Sequence, residues 1–433
     1  MDAISAANGR FPFPPSGHVR RTPRMPVRPA LVHDIWWIDP ARCLLFLIFP
    51  IYVFSGLLGG PLMSEFGSSN FLSGRVIAMG GLCIAIMAVG CKIGQMAATN
   101  LRSGERLVNI ERLDRALVAL TIVTIASHML LMADVARNPA AMLAALKGEM
   151  GAIYDVKDQI VKLVGVTSFV NITPLAMVLA SCRKINAGQR MPGRLNFLFW
   201  ILVVLVLMRG FVAAERFAIV EAAIAYFLPV FSFKARQIKS VKFFPLMGIG
   251  GVFTLFSLGE YTRSWAYYID RYDNFLQFAA LRLLGYISVA SNTAAGLYEK
   301  FDPVGYPSLT ATWFARLVTG STEEGPKEAF FAAYGNAEYN NPGGVMAGVI
   351  DFGLATGLLY HLGTGLVLGW FYGKYILKSP IGTFGYPLLF IGIVILTQAI
   401  YWGDPKFVTL FLSFAATIFY ATLPMNRVRR VRR

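Results

Sequence analysis

Apolar residues in this chain gather into blocks of roughly 16 to 25 residues, the length that crosses a hydrocarbon layer at 1.5 Å per residue. The blocks predict ten membrane helices, near 43–60, 74–92, 116–136, 161–181, 197–212, 216–232, 243–259, 346–373, 383–402 and 405–424. Trp36 and Trp37, just before the first block, suit an interfacial aromatic anchor. The stretch 197–232 as one helix would span ~54 Å, too long for one crossing. As two crossings it leaves almost no loop, so the turn from Arg209 to Arg216 is expected at or just below an interface. Two connections are longer than the rest. Residues 137–160 read as a short amphipathic helix and turn. Residues 260–342 form a loop rich in Tyr, Arg and Asn, with helical stretches such as DNFLQFAALRLLGYISVASNTAAGLYE. Connections of that length are usually functional.

Composition agrees with the pattern. Hydrophobic residues make up 56% of the 433-residue chain and charged residues 15%, against roughly 25% charged in soluble proteins. The fold class is therefore all-α: a polytopic membrane helical bundle of about 10 transmembrane helices with a large helical loop. The net charge of +16 invites a nucleic-acid reading, which the positions of the charges exclude. Most Lys and Arg lie in short connections and in the terminal RVRRVRR, where they signal topology and meet anionic lipid. Counted by loop, they put both termini in the cytoplasm of a bacterial inner membrane. The organisation that follows is a disordered basic cytoplasmic arm (1–34), helices one to seven (35–259), a periplasmic loop (260–342), helices eight to ten (343–424) and a basic cytoplasmic tail (425–433). The four cysteines, Cys43, Cys83, Cys91 and Cys182, sit in or beside apolar blocks. They suggest neither a disulfide framework nor a metal site.

Ionisable groups at membrane depth mark the candidate chemistry, because they are costly there unless paired or facing a watery pathway. Arg209, Glu215, Arg216 and Glu221 flank the tight turn. They either line an outward cavity or snorkel and pair among themselves. Arginine grips phosphate through a planar, always charged fork of donors, so outward arginines beside lipid suggest a lipid-linked phosphate or diphosphate. The long loop adds Glu260, Arg263, Arg271 and Arg282. Tyr286 shares a helix face with Arg282 at i, i+4. For Arg271 a position among lipid headgroups fits better. Asn340 lies in the Asn-Asn-Pro-Gly-Gly turn that leads back into the membrane, with Glu338 before it and Asp351 after it. Asp351 is either a site carboxylate or the cap of a helix starting at Phe352. Glycines 344, 348, 353 and 357 allow close helix approach. His128 and His361 fit interhelical hydrogen bonds.

The segments GFVAAERFAIVEAAIAYF, GEYTRSW, RLLGYISVASNTAAGLYE and AEYNNPGGVMAGVIDFGLATG resemble the Wzy-like oligosaccharide repeat-unit polymerases, or O-antigen polymerases. They cover the second half of the chain; the first half is similar only in being a series of hydrophobic helices. The resemblance implies a GT-C-like fold and a glycosyltransferase. Its substrate is an undecaprenyl-diphosphate-linked oligosaccharide, whose glycan passes to a hydroxyl on an incoming lipid-linked unit. It implies no cofactor and no metal, and as partners membrane lipids, a chain-length regulator and a flippase, with no nucleic acid. Arginines at the positions of Arg216 and Arg263 would hold diphosphate, with a looser match at Arg209 and Arg282. Glu221, Glu260, Tyr286 and Asn340 join them as substrate-binding candidates. The general base is not fixed by the resemblance. Glu338 and Asp351 are candidates from the residues alone. An O-antigen ligase would share fold and donor, but ligases usually carry a histidine in the outer loop and 260–342 has none. A flippase or transporter would need ionisable residues through both halves of the bilayer, whereas here they gather on one side. A structural subunit of an export complex would leave the deep arginines unexplained.

Overall fold

The computed structural model describes residues 10–11, 35–100, 108–160, 163, 165–186, 191–212, 215–234, 239–319 and 326–422. The tail 425–433 and nearly all of the arm 1–34 lie outside them. Within the arm, Arg10 and Phe11 pair antiparallel with Asn109 and Val108. The rest of the described fold is helical. Eight helices are long and apolar enough to cross a membrane, so the chain is a multi-pass membrane protein. We label the main helices α1 (Pro40–Leu62), α2 (Gly74–Asn100), α3 (Ile110–Leu131), α4 (Pro139–Lys147), α5 (Ala152–Asp158), α6 (Thr173–Asn186), α7 (Gly193–Val212), α8 (Arg216–Lys234), α9 (Phe244–Arg263), α10 (Phe275–Lys300), α11 (Ala347–Ile376), α12 (Pro380–Val394) and α13 (Pro405–Thr422). Residues 264–319 and 326–346 pack at one end of the bundle, called the loop end here.

Ten full-length crossings were expected; two of them are short. Helices α6 and α12 have 14 and 15 residues, roughly 21–22 Å of rise against a hydrocarbon layer of ~30 Å. A 3-10 turn, Thr167–Ile172, leads into α6, and the chain leaves helical geometry after α12. Such backbone survives at membrane depth only where protein covers it. It is covered: nearly every residue of α12 is buried, as is α6 from Thr173 to Arg183. The two short helices pack together at the centre. Around them the longest interface joins α2 to α11, where Gly90 and Gly94 lie against the α11 backbone and Gly365 and Gly369 against that of α2. Small residues let helices approach closely where lipid gives no hydrophobic drive.

The expected crossing at 346–373 also changes form. Gly353 has φ 76 and ψ 177, a backbone state open essentially to glycine alone. The chain reverses there. A Cβ on Gly357 would overlap the backbone of Gly348 and Val349, so 347–352 lies back against the start of the true crossing. The glycines at 348, 353 and 357 therefore build a re-entrant hairpin. Its descending strand is fixed by Gly343 N–H to Gln398 O at 3.0 Å and Gly344 N–H to Leu396 O at 3.0 Å, which pairs it with the non-helical segment after α12. The long loop is likewise part of the bundle. Helix α10 buries Arg282, Gly285 and everything from Ser288 to Leu297. It lies along α1, with Ser288 Oγ donating to Ser55 O at 2.9 Å.

Candidate functional site

Helix α7 ends at Val212 and α8 begins at Arg216, so the connection is short; 213–214 lie outside the described residues. It sends its charges in different directions. Arg209 pairs with Glu215, Nε to Oε2 2.7 Å. Glu221, one and a half turns into α8, meets Lys406 at 3.2 Å, and that ammonium lies 5.0 Å from the Phe217 ring centre. Arg216 turns to α9 instead, where Nη2 donates to Glu260 Oε1 at 2.8 Å. Gly259 makes this fit possible, since a Cβ there would overlap the guanidinium. Arg209 and Glu221, expected to share a cavity with Arg216, thus belong to separate ion pairs.

Glu260 is the hub. It is fully buried, and its second oxygen accepts from Arg282 Nε at 3.3 Å. One carboxylate therefore fixes two guanidinium planes, from α8 and from α10. Arg282 also donates through Nη1 to Glu338 Oε2 at 2.6 Å and to the Tyr339 hydroxyl at 2.9 Å. It sits 4.8 Å from the Tyr339 ring centre, with Tyr268 and Tyr286 at 5.5 and 5.7 Å. Arg263 donates to the Tyr286 hydroxyl at 2.6 Å. The sequence-predicted residues Arg216, Glu260, Arg263, Arg282, Tyr286 and Glu338 thus form one cluster. Arg216 and Arg282 share the buried carboxylate and Arg282 also holds the open one, while Arg263 is bonded to Tyr286 and Ser264. A guanidinium carries five N–H donors. Arg263 uses one on Tyr286 and one on Ser264 Oγ, and the buried Nε of Arg216 has no partner. The cluster keeps guanidinium donors unused, with that of Arg216 packed against Gly259.

A cavity of about 170 Å³ has Arg282 and Glu338 of this cluster in its wall, while Arg216, Glu260, Arg263 and Tyr286 lie outside its lining. Residues outside the quoted motifs complete it, Ser64–Gly67 after α1 with Tyr268, Tyr272 and Asn336, beside Arg271 and Tyr339. The Tyr content of the loop was the only sequence hint. Glu338 is 44% exposed and accepts from the Tyr268 hydroxyl at 3.3 Å. Burial and the Glu338 charge raise the Tyr268 pKa above its ordinary value, which keeps it a donor. Arg271 is exposed and meets Glu65 at 3.5 Å. Asn340 is exposed and does not line the cavity.

Asp351 does not join the cluster. It lies at the tip of the re-entrant hairpin and is fully buried. Its oxygens accept from Ser308 Oγ at 2.6 Å, Thr310 Oγ1 at 2.7 Å, Thr310 N–H at 2.8 Å and Leu309 N–H at 3.0 Å. The expectations of a base, or of a cap on a helix from Phe352, give way to a staple between the hairpin and the loop. His128 and His361 differ too. His128 bonds the Thr124 carbonyl of its own helix at 2.9 Å, and among the described residues neither ring nitrogen of His361 has a hydrogen-bond partner. Compared with known proteins, the chain matches no family model, no curated protein and no solved structure.

Proposed function

We propose that this protein is a polysaccharide polymerase of the Wzy-like kind, with a GT-C-like arrangement. It moves a glycan from a lipid diphosphate to a sugar hydroxyl on a second lipid-linked unit. The observation that carries the reading is the cluster of Arg216, Arg263 and Arg282 around buried Glu260, with the exposed Glu338 beside it. The leaving diphosphate needs fixed positive charge in the transition state, and Glu260 holds two of the guanidiniums in place before any ligand arrives. In the step itself the acceptor oxygen bonds to the anomeric carbon, the carbon–oxygen bond to diphosphate breaks, and the diphosphate keeps that electron pair. Glu338 takes the hydroxyl proton. Diphosphate drawing on Arg282 frees the Glu338 carboxylate for that task.

The loop end faces the periplasm in this reading and both termini the cytoplasm, following the basic connections at the opposite end. Reporter fusions after residue 240 and near residue 310 should therefore give opposite signals. The direct test is reconstitution. Purified protein in vesicles, supplied with lipid-diphosphate-linked repeat units alone, should lengthen them. A requirement for nucleotide sugar would overturn the reading.

A further inference from the structure

The connection between α3 and α6 holds two short helices that share an inner face and differ on the outer one. Asn138 opens α4 by accepting from Ala141 N–H at 3.2 Å, with Pro139 in the first turn. Gly148 and Gly151, at φ 77 and 82, turn the chain into α5. Inward, Ala145 of α4 and Ala152, Ile153 and Val156 of α5 join one apolar cluster with Met132 and Val212. Outward, α5 is mostly charged, with Asp155, Lys157 and Asp158 exposed beside Tyr154. The outer side of α4 and its turn is instead an apolar ridge: Leu143 is 54% exposed, Leu146 49% and Met150 63%. Leu143 and Leu146 are three residues apart and share a helix face. One module with one inner face therefore meets two different surroundings.

The neighbours of α4 give its depth. Met132 directly follows α3 and Val212 ends α7, so the shared cluster sits at the ends of two crossing helices. A Cβ on Gly148 would come 3.2 Å from the Tyr261 carbonyl oxygen and 3.8 Å from Thr262 Cα, beside the last turn of α9. That turn is apolar and open on its outer side, with Leu258 and Tyr261 exposed, as is the end of α3 at Met129 and Leu130. The ridge of α4 thus continues the bare apolar belt of the crossing helices, and what covers that belt is lipid. We propose that α4 and its turn through Met150 lie in the surface layer of the bilayer at the loop end. Leu143, Leu146 and Met150 sit among the lipid chains, Lys147 reaches the phosphates, and α5 rises into water. The contact holds the end of α9, with Glu260 and Arg263, at headgroup depth. It stands whatever reaction the arginine cluster performs.

The test is a fluorescence depth measurement on the full-length chain. Leu146→Cys, Met150→Cys and Asp155→Cys, all at exposed positions, each receive an environment-sensitive label. The protein is then reconstituted in phosphatidylcholine–phosphatidylglycerol vesicles. The four native cysteines are buried, and the unsubstituted protein gives the background. A nitroxide carried high on the lipid chain should quench the labels at 146 and 150 roughly threefold more than the label at 155, and aqueous iodide should quench them roughly threefold less, as for a helix lying in the interface. An equal response at the three sites, or stronger iodide quenching at 146 or 150 than at 155, would overturn the proposal. Shielding of 146 and 150 from both quenchers would overturn it too, because a second copy of the chain or another protein, and not lipid, would then cover the ridge.

Discussion

Two buried arginines at opposite ends of the bundle are partnered in different ways. Arg183, away from the loop end, meets a single partner. Asp114 accepts from its Nε at 2.7 Å and its Nη2 at 3.3 Å, one charge against one. Arg282, at the loop end, shares Glu260 with Arg216 and competes for Glu338 with a tyrosine, over a cavity. Both arginines are almost wholly covered. Burial alone therefore does not mark function here. In the proposed reading, the surplus of positive charge over buried negative charge, next to open space, does.

The sharpest way to break the comparison is to remove an arginine from each end. Arg216→Ala should abolish polymer while the protein still accumulates in the membrane. Arg216→Lys should rescue poorly, because a point charge does not reproduce the planar fork. Arg183→Ala should instead lower the amount of folded protein, since stripping one partner from a buried pair costs about 3–5 kcal/mol, and turnover per folded molecule should hold. Immunoblots of membranes beside polymer gels separate the two. Normal polymer from Arg216→Ala would make both arginines structural.

A smaller effect comes from crowding the site. Gly259→Ala places a methyl where the Arg216 guanidinium lies and should raise KM for the lipid donor about tenfold, equivalent to about 1.4 kcal/mol, with folded yield unchanged. An unchanged KM would mean that Arg216 finds its ligand from another position. The smallest effects should come from residues outside the cluster. Asp351→Asn weakens the staple to 308–310 and should cost about 1–3 kcal/mol of stability, read by thermal unfolding, with activity per folded molecule kept. Arg271→Ala removes an exposed pair worth about 0–1 kcal/mol and should leave thermal stability unchanged.

The hydrophobic blocks made the long helices legible, and the crowded charges at 209–221 made the tight turn legible. Period and length report what a helix is, not where a buried chain leaves helical geometry. Hence α6 and α12 read as full crossings, and the hairpin at Gly353 read as one helix with spaced glycines. The arginines of the cluster were visible because charge in apolar sequence is rare. Who pairs with whom was not, for a reason of distance: Glu260 joins α8 to α10, and residues 64–67 reach the cavity from the first connection of the chain. Asp351 shows the converse. A carboxylate in an apolar stretch looks catalytic until its oxygens are seen to be filled by Ser308, Leu309 and Thr310.

The central claim is that Glu338, at the open edge of the arginine cluster, takes the proton in a transfer between two lipid-linked units. Single-turnover elongation by purified protein, parent against Glu338→Gln, tests it most directly. The account predicts a fall of about 10²–10⁴ in rate, with lipid diphosphate still bound. Elongation by Glu338→Gln at the parent rate would contradict it.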